Sequence, residues 1–161
     1  MKITCLLILL SVIFSNLNAQ STQEEVDLLQ SIYGMEKKAV VAEVVKPSAS
    51  QEGVFWKLYD DYEAARKTLG KERIELLMQY SENFDNLSNK VADELLKASL
   101  ALSKKHDKLL VSYVRKIRKA TNPVVAMQFH QIEMYILSQV RLAITGELPY
   151  PEIIPFSIQN D

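Results

Sequence analysis

Cysteine is nearly missing from this chain. The one copy is Cys5, so no disulfide can form within a single molecule and stability must come from packing. Breakers are scarce too, with four glycines and five prolines in 161 residues. Three of those prolines, Pro149, Pro151 and Pro155, crowd the last thirteen positions. From Ser21 to Gly146 little opposes helix. Charge of one sign is not in excess, because 19 basic residues meet 20 acidic ones. That balance predicts no general affinity for nucleic acid or for an anionic membrane. No glycine-rich loop could cradle a phosphate, and no serine carries a nucleophile-elbow pattern. Nothing assembles an acid, a base and an oxyanion donor. The expectation is a protein that is not an enzyme and needs no cofactor.

The N-terminus reads as an export signal. Lys2 gives a positive start, Ile3 to Phe14 is almost wholly apolar, and Leu17-Asn18-Ala19 ends in a small residue. The apolar run is short for a membrane span. Cleavage is expected after Ala19, with Gln20 as the mature N-terminus and a periplasmic location. The mature chain would hold 142 residues (161 minus 19), enough for one domain. Without Lys2 it carries 18 basic and 20 acidic residues, a net charge of −2. No cysteine sits at the cleavage point, so a lipid-anchored form is not expected.

Four helices are predicted, with no sheet. The first runs from about Thr22 to Val45 and stops before Pro47. Its apolar face would be Leu28, Leu29, Ile32, Met35, Ala39, Val40 and Val44. The second begins at Ser48 or Ser50 and continues to about Phe84, with Phe55, Leu58, Tyr62, Ala65, Leu69, Leu76 and Tyr80 as its stripe. That stripe lapses at Glu72 and Arg73 near Gly70, where a bend or a polar layer is expected. Asn83 to Asn89 reads as a turn, with Ser88 able to cap the third helix. The third helix extends to about Lys119 on Val91, Leu95, Ala98, Leu102, Leu109, Tyr113 and Ile117. Thr121-Asn122-Pro123 breaks it and starts the fourth, which ends near Thr145 with Gly146 as a C-cap. Two long helices joined by a short turn pack as an antiparallel hairpin. The first and fourth helices should cover it, within one chain or between two copies. An extended tail is expected from Pro149 to Asp161.

The two histidines invite scrutiny. His106 falls on the inward stripe, across from Arg66 and Glu63 if the hairpin turns near Asn86. It reads as a core-edge histidine satisfied by Glu63, with a buried pH-sensing pair as the sharper alternative. His130 and Glu133 share a helix face and are a weak metal candidate. Asp60-Asp61 points two ways and reads as a solvated face. The third helix ends basic, with Lys104, Lys105, Lys108, Arg115, Lys116, Arg118 and Lys119 opposed by Asp107. That run suits a helix C-terminus, and it could also attract acidic partners. Phe55, Trp56, Tyr59 and Tyr62 span more than one face, so Trp56 with Tyr59 would either meet a covering helix or stay exposed.

Some of these residues resemble a known pattern. Ser48-x-x-Gln51, followed by Phe55-Trp56, Tyr59 and Tyr62-Glu63, is similar to the Leu-Thr-x-x-Gln motif of periplasmic proteins related to Spy and CpxP. Its physical content is a capping box. A fainter copy lies at Leu87-Ser88, where Val91 stands for the glutamine, and Pro47 stands for the leucine of the first copy. Adding Phe129-x-Gln131-Ile132-Glu133 and Leu148-Pro149, the chain resembles a group of exported helical proteins common in Bacteroidetes. Some of these carry the label "sensor of ECF-type sigma factor". The resemblance implies a cradle-like or chaperone-like protein that holds unfolding clients without ATP, with a sensor or regulator module as the alternative. The histidine-rich or methionine-rich segments of metal-sensing relatives are missing here. The expected binding surface is Trp56 and Tyr59 with Lys104, Lys105 and Lys108 as a charged rim. Expected partners are unfolded proteins or a membrane-bound regulator, with a homodimer left open.

Overall fold

The computed structural model describes residues 37–145 and 148–149. The expected export signal, positions 22–36 of the first helix, the Gly146 cap and the tail beyond Pro149 lie outside the described residues. The fold is all-α, with four α-helices and no strand among the described residues. We number them α1 (37–44), α2 (Ala49–Asn83), α3 (Asn89–Ala120) and α4 (Pro123–Thr145).

Local chemistry sets each boundary. Val45 still donates to the Val41 carbonyl at 2.8 Å, and the chain then straightens into Pro47. Ser48 is the N-cap of α2, and its amide donates to Gln51 Oε1 at 3.4 Å, the glutamine arm of a capping box. Gln51 Oε1 also accepts from Asn122 Nδ2 at 3.2 Å, which ties this cap to the α3–α4 junction. A single 3-10 turn, Phe84–Asn86, closes the hairpin. Ser88 Oγ then accepts from the Val91 amide at 3.3 Å and starts α3. At the next break, Thr121 Oγ1 donates to the Ile117 carbonyl at 2.7 Å. Asn122 Oδ1 accepts from the amides of Val124 and Val125 at 2.9 and 3.0 Å, with Pro123 in the first helical position. The α2 helix runs unbroken through Gly70.

At 1.5 Å rise per residue, α2 and α3 are rods of about 50 Å. They pack on each other, and α4 packs back along α3. The core gathers at the open end of the hairpin, away from its turn. Val41, Val45, Phe55, Tyr59, Tyr62, Leu110, Ile117, Val125, Phe129 and Ile136 meet there. Phe129 is the hub: its ring meets those of Phe55, Tyr59 and Tyr62 edge-on, at centroid distances of 6.4, 6.4 and 5.4 Å. Between residues 67 and 109 the only buried side chain is Leu102, so the turn end of the hairpin is thinly covered.

Hydropathy misplaced the inward face of α1 and found only part of that of α2, where Phe55 and Tyr62 are buried as expected. On α1 the buried positions are Lys37 and Val41, with Val45 just past its end, while Val40 and Val44 are exposed. On α2 the interior takes Tyr59, Glu63 and Arg66, while Leu58, Ala65 and Leu69 are only half-buried. The reason is a set of buried charges, which an apolar-stripe rule assigns to solvent.

Candidate functional site

Four charges from three helices converge inside the core end. Lys37 comes from α1, Glu63 and Arg66 from α2, and Glu133 from α4, and all four are buried. The Lys37 ammonium lies 2.6 Å from Glu63 Oε1 and bridges to Glu133. It donates to Glu133 Oε1 at 2.7 Å and stands 2.6 Å from Oε2. Oε2 is in ionic contact with the same ammonium, so both oxygens of the carboxylate are paired. Tyr62 completes the group by donating its hydroxyl to Glu133 Oε1 at 2.7 Å. Arg66 grips Glu63 in a fork, with Nε 3.0 Å from Oε1 and Nη2 3.1 Å from Oε2.

Two positive and two negative charges make the cluster neutral. Burial pushes the Glu63 carboxyl upward, but Lys37 and Arg66 outweigh it and hold the group below the usual carboxylate range. Arg66 is also desolvated, and Glu63 still raises its affinity for the proton. Burial drives the Tyr62 and Tyr59 hydroxyls far up, with Glu133 and Glu63 adding to it, so both stay protonated. Tyr59 Oη is buried with no protein hydrogen-bond partner.

The expected binding residues are dispersed. Tyr59 is 1 % exposed and belongs to the core, so it cannot touch a partner. Trp56 is half-buried beside α1, with the Lys38 ammonium 5.3 Å from its ring centre. Lys105 pairs with Glu72 of α2 at 2.7 Å. Glu72 lies sixteen residues beyond Trp56, so about 24 Å along one rod separates the aromatic group from the basic rim. Trp56 and the Lys104, Lys105 and Lys108 group therefore do not form one surface. Tyr59 is buried because its ring packs edge-on against Phe129 of α4.

The histidines also fall differently. Glu63 is occupied by Lys37 and Arg66, so it does not satisfy His106. The His106 ring lies with Nε2 3.3 Å from the Leu69 carbonyl, half-buried. Desolvation and the nearby Arg73 lower its proton affinity. Glu133 faces the interior and Lys37, so its carboxylate is taken and does not join His130 as a metal ligand. Among the described residues no group of three or more histidine, cysteine, aspartate or glutamate side chains is placed to hold a metal ion. Asp60 and Asp61 are exposed, as expected, and pair with Lys38 and Lys57.

Lys37 and Tyr62 are the cluster members whose polar role sequence reasoning missed. One signal was available. The α4 helix carries only two charged residues, Glu133 and Arg141, and an acid alone among Ile132, Met134 and Ile136 demands a buried cation.

The outer surfaces are the remaining candidates. On α3, Leu96, Leu100 and Val111 are exposed among Lys104, Lys108 and Arg115. On α4, Val124, Met127, Met134 and Tyr135 are exposed, and the one charge within that span, Glu133, is buried on the opposite face. A shallow groove of about 280 Å³ between α2 and α3 is lined by Glu72, Leu76, Gln79, Ala98, Leu102 and Lys105. Among the described residues no helix is long and apolar enough to cross a membrane. The fold and these faces define a class only, an all-α hairpin clamped at one end by buried charge. Comparison with protein-family models, curated proteins and solved structures gave no match.

Proposed function

We propose that this is an exported, non-catalytic helical protein that holds partly unfolded polypeptides by weak, reversible contact. The observation that carries the reading is the solvent face of α3. At about 100° per residue, Leu96, Leu100, Lys104, Lys108, Val111 and Arg115 fall within a sector of roughly 120°. All six are exposed. Aliphatic side chains offer contact to apolar segments of a client. The interleaved cations keep the face hydrated and favour acidic stretches. Each contact is modest, so affinity comes from several at once. The thin core toward the hairpin turn supports the same reading, because that end has little else to hold in place.

The test is light scattering with a reduced, unfolding client protein. Equimolar chain is expected to suppress aggregation, and Leu96→Ser combined with Leu100→Ser is expected to weaken that suppression several-fold while helicity is kept. No suppression by the unsubstituted protein would end the reading. The export part is checked separately: protein recovered from the periplasm should have lost the nineteen residues through Ala19.

A further inference from the structure

We infer that the outer face of α4 docks a second copy of this chain. Val124, Met127, Met134, Tyr135 and Leu142 are each between 44 % and 68 % exposed. With Gln131 and Ser138 they occupy a sector of about 100° running the length of the helix. Val124, Met127, Gln131, Met134 and Ser138 recur at alternating steps of three and four, the spacing of a helix–helix seam. No aspartate, glutamate, lysine or arginine lies on the stripe, since Glu133 points into the core and Arg141 lies beside it. The Ser138 hydroxyl donates to the Met134 carbonyl at 2.8 Å, so covering it strands no donor.

Two observations select a second copy as the occupant. The first is charge. A two-fold axis puts a face against itself, and an uncharged face meets no repulsion there, whereas the basic face of α3 would. The second is area. The five apolar side chains expose roughly 500 Å² per copy, so two copies would bury about 1,000 Å², the lower bound for a specific interface. An antiparallel pairing centred near position 133 sets Val124 of one copy against Leu142 of the other, and the Gln131 amide beside the Tyr135 hydroxyl. This inference does not depend on the α3 reading, because the two faces lie on different helices.

Sedimentation equilibrium of the purified protein tests it. The unsubstituted chain should show a two-chain mass, and Met134→Lys a one-chain mass with unchanged helical circular dichroism. Mixing Met134→Lys with Met134→Glu should restore the two-chain mass, which a folding defect could not do. A one-chain mass for the unsubstituted protein up to roughly 100 μM would overturn the proposal. So would a two-chain mass that survives both Met127→Lys and Met134→Lys. A one-chain protein whose client suppression falls with Met134→Lys would assign the stripe to clients and also overturn it. Failure of the α3 reading shows differently, as lost suppression with the mass unchanged.

Discussion

Replacing Lys37 by methionine keeps the apolar stem and deletes the charge that joins three helices. The cluster then changes from neutral to a net charge of −1. Arg66 still grips Glu63, with contacts of 3.0 to 3.2 Å. Glu133, with no exposed surface, keeps only the Tyr62 hydroxyl at 2.7 Å among its described hydrogen bonds. Removing one partner of a buried pair costs about 3–5 kcal/mol, because the other charge stays desolvated. Against a total stability of about 5–15 kcal/mol, that is a large fraction. At this chain length it corresponds to a drop of about 10–20 °C in Tm. Urea unfolding followed by circular dichroism measures the loss directly. The cause is isolated by a second variant, Lys37→Met with Glu133→Gln, which removes the stranded charge. The double variant should be more stable than the sum of the two single losses implies, by at least about 1 kcal/mol. A loss below about 1 kcal/mol for Lys37→Met, or strict additivity in the double, would refute the reasoning that the cluster is one coupled unit.

Three further outcomes follow from the same core. Glu63 is held below its unfolded value of about 4.3, so its contribution is complete above that pH and is lost as pH falls through the lower folded value. Urea midpoints between pH 7 and pH 3 should fall in the acid range, and Glu63→Gln should flatten that fall. His106 is also shifted downward, in its case by burial, so the unfolded chain takes the proton first and stability should decline as pH drops below about 6.5. His106→Gln should remove the slope in that window. The two core tyrosines should part company in melting experiments. Tyr59→Phe deletes a hydroxyl with no protein partner and should be neutral or slightly stabilising, while Tyr62→Phe removes a donor to a buried carboxylate and should cost about 1.5–3 kcal/mol.

The elements were legible because their punctuation is local. Ser48 before Gln51, Ser88 before Val91 and Asn122 before Pro123 each cap a helix within three or four residues, and those bonds are present. The pairing of α2 with α3 followed from their length and the short turn between them. What could not be read was the rotation of α1 about its own axis, and on α2 the burial of Tyr59, Glu63 and Arg66 beside the expected Phe55 and Tyr62. An apolar-stripe rule turns Val40 and Val44 inward and Lys37 outward. The fold does the reverse, because Glu133 on α4 and Glu63 on α2 offer Lys37 two carboxylates that lie 96 and 26 positions away in sequence. The candidate surface failed for the same reason. Tyr59 became core when Phe129 arrived from α4, and only then did Trp56 and the α3 lysines prove to be a rod's half-length apart.

The buried charges also explain how the molecule divides. Buried ion pairs seldom add net stability over well-packed apolar residues, but they penalise every arrangement that leaves one member unpaired. Here the penalty falls on any rotation or slip of α1, α2 or α4 at the core end. The turn end carries no such constraint among the described residues, with Leu102 its one buried side chain. A hairpin fixed at one end and loosely filled at the other can present outward side chains from rigid helices while its far half breathes. Hydrogen exchange would separate the two halves: amides of α2 near Tyr62 should exchange at the global unfolding rate, and those near Met78 far sooner. Uniform protection along α2 would mean that the turn end is held by contacts as strong as the ion cluster, and the division would fall.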